Sequence, residues 1–383
     1  MASTESALIR FVREALRRWY ARHQRDLPWR RRRDPYAIWV SEIMLQQTRV
    51  ATVIPYFQRW LRRFPDVHAL AAAPQDDVLK AWEGLGYYAR ARNLHKAARQ
   101  VVKTRHGRLP ETAEELRKLP GIGRYTAGAI ASIAFDLDEP VLDGNVTRVL
   151  CRVFRIRSDP KTTRTRTRLW ALARSLVPAG KAALGNQALM DLGATVCIPR
   201  GPRCLLCPLG DLCKARAAGE QERLPRKAAA EPTPHFDVVA ALVRRRGRIL
   251  IAKRPSDGLL GGLWELPGGR IGGEKGVRSR LCEAPSGPFR QTTPDPFFPA
   301  ALAEQARERL GIELTVGEER IRIRHAFTHF RITLHVFECR AASGRARAVG
   351  YAACRWVRPG ELDLYAFPTA HRKALSQLGL LGG

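Results

Sequence analysis

LPGIGRYTAGAI (119–130) sets the architecture of the first half of this 383-residue chain. Gly121 and Gly123 let the backbone reverse tightly between two helices. Without side chains there, the N–H groups of the turn can approach a phosphate closely. The Ala/Gly-rich run behind them predicts a helix over 124–135. The plain alternative is a simple helix–helix turn, which Pro-Gly-Ile-Gly followed by a helical Ala/Gly face disfavours.

Outward from this turn, apolar residues recur at helical spacing. Leu8, Phe11, Val12, Ala15, Leu16 and Trp19 share one helical face. Further helices are predicted near 36–48, 52–62, 75–82, 90–105, 112–118, 144–154, 164–176 and 185–195. Then comes CIPRGPRCLLCPLGDLC (197–213), with Cys197, Cys204, Cys207 and Cys213 spaced C-x6-C-x2-C-x5-C. Four thiolates this close in sequence can wrap one metal centre. Thiolates favour zinc or an iron–sulfur cluster over hard cations, and the spacing leaves those two open.

Composition bounds the rest. The net charge of +30 and the pI near 10.9 attract a polyanion, nucleic acid before anionic membrane. The 45% hydrophobic content supports two globular cores. There is no apolar run long enough to span a bilayer and no signal-peptide pattern, so a soluble, cytoplasmic protein is expected. Cys151, Cys282, Cys339 and Cys354 are scattered and read as reduced thiols. Residues 216–234 turn rich in Ala, Glu, Lys, Arg and Pro, a linker composition. Beyond them the pattern becomes strand-like. DVVAALV and RILIA flank RRRG as a hairpin, IRIRHAF and RITLHVFEC alternate, and helices are predicted near 300–310 and 368–377. Residues 272–299 have no period and read as an insertion. Between 155 and 174, seven Arg or Lys face Asp159 alone, either a phosphate-facing strip or a solvated face.

The glycine hairpin and the cysteine loop together resemble the helix-hairpin-helix DNA glycosylases. LPWRRRRDPYAIWVSEIMLQQT (27–48), VLDGNVTRVL (141–150) and GLGYYARARNLHKAA (84–98) are similar to segments of the adenine-specific, A/G-mispair branch. Bifunctional, endonuclease III-like members carry a nucleophilic lysine directly after Gly-x-Gly-Arg. Here that position is Tyr125, so no Schiff base can form and no strand cleavage is expected. The resemblance makes Glu42 the acid that protonates the departing adenine. Among Ile38, Val40, Ile43 and Leu45, desolvation would keep a proton on it. It makes Asp143 the stabiliser of the sugar cation, at a helix start that favours the ionised form, with Asn145 orienting Asp143 or water. Trp29, Arg30 and Tyr125 are expected to line the base pocket, with Asp191 near the flipped base. Gln47 and Tyr88, preferred over Tyr87, are expected to fill the gap left by base flipping. The family's cysteine loop carries one 4Fe–4S cluster, which implies the same here. Arg200 and Arg203 would then present charge to DNA phosphate, as Gly121 and Gly123 would present N–H groups.

GGLWELPGG (261–269) resembles the opening of a Nudix domain. The helix that follows has Glu304 and Glu308 but lacks the paired-glutamate cluster of working Nudix hydrolases, so the fold is expected without the hydrolase. In adenine glycosylases this domain reads 8-oxoguanine through a Phe-Ser-His loop. The matching residues are Phe327, Thr328 and His329. The chain is thus expected to hold a mainly α helix-hairpin-helix domain at 1–215, a linker at 216–234 and a smaller α/β Nudix-like domain at 235–383. It is expected to act as a monomer on double-stranded DNA with A:8-oxoguanine or A:G mispairs, releasing adenine. The alternatives are an endonuclease III-like glycosylase/lyase and a Nudix nucleotide hydrolase.

Overall fold

The computed structural model describes residues 2–31, 33–226, 232–271 and 297–381. The predicted insertion at 272–299 falls largely outside the described residues, as do 227–231 of the predicted linker. The chain divides into two compact units, Met1–Ala73 with Asn93–Ala230, and Pro74–Arg92 with Glu231–Gly383. Among the described residues no helix is long and apolar enough to cross a membrane.

The first unit is helical. Its elements are α1 (Ala2–His23), α2 (Pro35–Leu45), α3 (Val50–Arg63) and α4 (Val67–Ala72). The chain leaves this unit for α5 (Gln75–Ala81) and returns along α6 (Ala89–Arg105). It then forms α7 (Ala113–Leu116), α8 (Arg124–Phe135), α9 (Gly144–Val153), α10 (Thr163–Leu176), α11 (Ala182–Thr195) and α12 (Lys214–Ala217). In α1, Val12, Leu16 and Trp19 join the core as expected, whereas Phe11 faces out at 54% exposure. It sits at the edge of the stripe, where a 3.6-residue repeat turns it away from the core centre. The core gathers apolar faces of α1, α8, α9, α10 and α11. At the hairpin, Gly121 adopts φ +80°, and a Cβ there would lie 2.8 Å from the Asn93 Cβ. Gly123 caps α8 in extended backbone, and a Cβ there would meet nothing within 4 Å.

Residues 216–226, predicted as linker, are folded instead. Leu224 is buried and its carbonyl accepts from Arg152 Nε at 2.9 Å. Composition suggested a tether because the segment is mostly polar, yet one leucine and the Arg152 hydrogen bond tie it to α9.

The second unit is a mixed sheet with helices. Its strands are β1 (His235–Arg245), β2 (Arg248–Lys253), β3 (Trp264–Glu265), β4 (Gly268–Arg270), β5 (Glu313–Ala326), β6 (Arg331–Ser343) and β7 (Ala353–Val357). The helices α13 (Phe297–Leu310) and α14 (Thr369–Gln377) follow β4 and β7. The order is β3-β2-β1-β6-β5, with β4 on β1 and β7 on β2, and β1 runs parallel to β6. Arg246 and Gly247 both take positive φ, the two-residue turn that suits the twist of the β1–β2 hairpin. The 74–92 segment belongs to this unit, fixed by Tyr88, whose hydroxyl donates to Phe367 O at 3.3 Å, and by Arg92 Nη1, which donates to Gly261 O at 2.8 Å.

Candidate active site

A cavity of about 570 Å³ in the helical unit is lined by Trp29, Arg30, Glu42, Gln47, Tyr125, Asp143, Asn145 and Gln187, among others. Each arrives by a local rule. Asp34 caps α2, accepting from Tyr36 N at 3.0 Å, and Pro35 starts the helix. Residues 36–44 of α2 are all buried, so Glu42 has no solvated face to use. It is 5% exposed, and burial pushes its carboxyl up to about 7. The Tyr125 hydroxyl donates to Glu42 Oε2 at 2.9 Å and pulls the other way, while the Asp143 charge adds to the rise. Tyr125 reaches it from the first turn of α8, two residues past Gly123.

Asp143 is the N-cap of α9 and accepts from Val146 N at 2.6 Å and from Asn145 Nδ2 at 3.1 Å. The expectation that its setting simply favours ionisation is corrected. Burial raises its pKa, and the bonds from Val146 and Asn145 counter that rise only in part. Asn145 Oδ1 in turn accepts from Arg148 Nη2 at 2.7 Å, and Arg148 Nε donates to Cys197 O at 2.7 Å. The capping aspartate and the start of the cysteine loop are thus joined by one chain of hydrogen bonds.

Asp191 is not on the cavity wall. It is fully buried, and its oxygens accept from Arg30 Nη1 and Nη2 at 2.8 and 2.9 Å and from Arg25 Nε at 2.8 Å. Burial alone would raise its pKa, but the bonds to Arg30 and Arg25 hold it below the ordinary value. Its place is therefore behind Arg30, which it orients. One helical turn earlier on α11, Gln187 does line the cavity, and Tyr20 donates to its Oε1 at 3.3 Å. This residue was not anticipated. The helical repeat of α11 held the signal, because Gln187, Met190 and Ala194 share the face that lines the cavity. Gln47 is exposed at the rim with φ +59°.

In the second unit Tyr88 is 3% exposed, its hydroxyl engaged by Phe367 O and Gly84 N. It cannot fill a gap in DNA from there, which corrects the preference for it. Tyr87 is 41% exposed with φ +48°, and its hydroxyl meets the Thr328 hydroxyl. The turn between β5 and β6 is closed by Phe327 N donating to Phe330 O at 2.8 Å, with the two rings stacked at 4.5 Å. Thr328 and His329 are exposed at its tip.

Cys197, Cys204, Cys207 and Cys213 line one small cavity, and none is in a disulfide. Buried Arg152 donates to Cys197 Sγ at 3.3 Å and to Ile198 O at 2.8 Å. Gly210 packs closely into the loop, where a Cβ would sit 2.5 Å from Arg216 Nη1, 3.2 Å from Cys207 O and 3.3 Å from Cys204 O. Arg200 and Arg203 are exposed. Among the described residues no three His, Cys, Asp or Glu side chains are grouped as one metal ion requires.

A hairpin-bearing helical unit with paired carboxyls in a buried cavity, joined to a Nudix fold, defines a base-excision DNA glycosylase. The model of the HhH-GPD superfamily base excision DNA repair proteins matches 40–175, and that of the NUDIX domain matches 238–377. The chain is 37% identical to an adenine DNA glycosylase of Homo sapiens, over 94% of this chain and 72% of that protein. A counterpart from Rattus norvegicus is also 37% identical, over 94% of this chain and 76% of that protein. A thermostable thymine-DNA glycosylase of known structure superposes with a TM-score of 0.52 at 30% identity, covering 57% of this chain and all of that one. The chain belongs to the adenine DNA glycosylase family, N-glycosylases of base excision repair.

Proposed function

We propose that the protein removes adenine opposite 8-oxoguanine or guanine without cutting the strand. The observation that carries this reading is the pairing of a buried carboxyl at about 7 with a tyrosine hydroxyl, where a strand-cutting enzyme needs an amine. No lysine lines the cavity among the described residues. Adenine enters beside Trp29 and Arg30, with the amide of Gln187 available to its edge. Glu42 gives its proton to N7, which turns adenine into a neutral leaving group. Tyr125 holds the second oxygen of that carboxyl, so the acidic one keeps a fixed aim. Positive charge then develops on the sugar, and Asp143 faces it, anchored by the Val146 amide and by Asn145. Glu42, now a base, activates water to complete hydrolysis.

Across from the adenine, a lesion-reading role for Thr328 is supported by its contact with Tyr87. A hydroxyl can both donate and accept, which suits the O8 acceptor and N7–H donor of 8-oxoguanine. Tyr87 is then the residue that enters the stack, and Gln47 serves the adenine side. The cysteine loop fits a 4Fe–4S cluster. Four thiolates line one cavity there, a donor set of the kind that holds iron–sulfur clusters. Cys197, Cys204, Cys207 and Cys213 would hold the cluster, which would brace the loop that presents Arg200 and Arg203. When bound it supplies Fe–S crosslinking and a redox-capable centre, and every step above uses protein side chains alone.

The test uses duplexes with adenine opposite 8-oxoguanine, scoring base release and strand nicking separately. Release without a nick is expected, and Glu42→Gln should stop release while leaving DNA binding in place. A nick before alkali treatment, or release of a pyrimidine, would refute the assignment.

A further inference from the structure

Of the basic residues between 155 and 174, the structure makes two kinds. Arg155 and Arg157 both fork onto Glu220, with Arg155 Nε 2.8 Å and Arg157 Nε 3.1 Å from Glu220 Oε2. The protein supplies their anion itself. The face of α10 is different. Arg166, Trp170 and Arg174 stand at i, i+4 and i+8, one stripe of the helix. Arg124, the first residue of α8, lies with its guanidinium carbon 4.0 Å from the centre of the Trp170 ring. The charges of Arg117, Arg166 and Arg174 all bear on Arg124. Glu139, 3.1 Å from Arg174, is the acid of the group. All four arginines are exposed.

Four guanidinium groups against one carboxylate repel one another in the free protein, and a bound polyanion relieves that repulsion. The indole face holds Arg124 by cation–π attraction. Its location names the polyanion. Arg124 is followed directly by Tyr125, whose hydroxyl touches Glu42 in the cavity. Arg124 also directly follows Gly123, the N-cap of α8, so a strand whose phosphate meets the hairpin N–H groups would run close to this arginine. We propose that Arg124, held over Trp170, and its neighbours Arg117, Arg166 and Arg174 form a phosphate-binding surface that carries the DNA backbone from the glycine hairpin onto α10. This deepens the glycosylase reading and rests on it.

Equilibrium binding of the full chain to an undamaged duplex, across a series of salt concentrations, tests the surface. Each phosphate contact contributes about 0.9 to the slope of log K against log salt. R166Q should lower the slope by about 1 and R117Q/R166Q by about 2. R166K should keep most of it, because charge rather than a specific fork makes the contact. R155Q, whose charge Glu220 already holds, should leave the slope near that of the unaltered protein. Adenine release by the unaltered protein is scored in parallel. Release with an unchanged slope in R117Q/R166Q would discard this surface and keep the glycosylase. A lowered slope without adenine release would keep the surface and discard the glycosylase assignment. A loss of affinity at constant slope would mark a structural defect and would also overturn the proposal.

Discussion

Glu42 concentrates the chemistry, and its burial has a measurable consequence for stability. Its carboxyl rises from 4.5 to about 7 on folding. Below the unfolded value both states hold the proton, and burial carries no ionisation penalty. Between about 4.5 and 7 the unfolded chain has released its proton and the folded chain has not, so stability falls as pH rises. Above about 7 the loss is complete, roughly 3 kcal/mol. Urea unfolding of the wild type and of Glu42→Gln across pH 5–8 should therefore show a pH slope in the first that is missing in the second. Parallel profiles would mean that Glu42 is not the desolvated group. Tyr125→Phe removes the bond that pulls this carboxyl down, so single-turnover adenine release should become slower and its high-pH limb should move upward. The resemblance of 27–48 to adenine-specific glycosylases made this acid legible, and the apolar residues around it on α2 predicted its retained proton. It misled at Asp191 because an acid near a pocket looks the same in sequence whether it faces the ligand or the arginine behind it. It misled at Tyr88 for a related reason. Of two adjacent tyrosines, the left-handed backbone at Tyr87 decides which side chain stays outside.

At the level of elements, the hairpin gives the sharpest contrast between two glycines that look equivalent in sequence. Gly121→Ala must hold a side chain at φ +80° and against the Asn93 Cβ at 2.8 Å. The left-handed backbone alone costs about 1–2 kcal/mol, and the contact adds to it. Gly123→Ala meets no protein atom within 4 Å, so its stability should change by less than about 1 kcal/mol. Its methyl group would project into open space where a phosphate is expected to approach the hairpin, so DNA affinity should fall. Thermal melting and duplex titration of both variants separate the roles. A strongly destabilised Gly123→Ala would contradict the account. Long helices such as α8 and α10 were legible from periodicity, and so was the β1–β2 hairpin. The six-residue α4 was not anticipated, because it is too short to show a period and depends on Asp66 accepting from Ala69 N at 2.8 Å.

On the scale of the whole chain, sequence order and compact units part company at 74–92. A reading by composition draws one boundary at the polar stretch after the cysteines. It has no means of finding that an early segment packs with the late sheet, because α5 and the glycines after it look like the helices and turns around them. The segment's anchors are individual atoms, namely Tyr88 on Phe367 O, Lys253 Nζ on Asp76 at 2.5 Å and Arg92 on Gly261 O. Among the described residues, the core cluster that joins α1, α8, α9, α10 and α11 includes none from 74–92. Ending the chain at residue 226 should therefore leave the cavity and its carboxyls folded while freeing one internal segment. Hydrogen exchange should rise over 74–92 and stay protected in α8, α9 and α11, where the apolar core is densest. Adenine release should persist. The preference for 8-oxoguanine over guanine should shrink toward none, since Tyr87 would keep its exposed ring but lose the Thr328 hydroxyl beside it. In the full chain Thr328→Ser retains that hydroxyl and should keep the preference, while Thr328→Val should resemble the shortened protein. Equal single-turnover rates on the two mispairs for wild type and Thr328→Val would break the link between this contact and lesion choice.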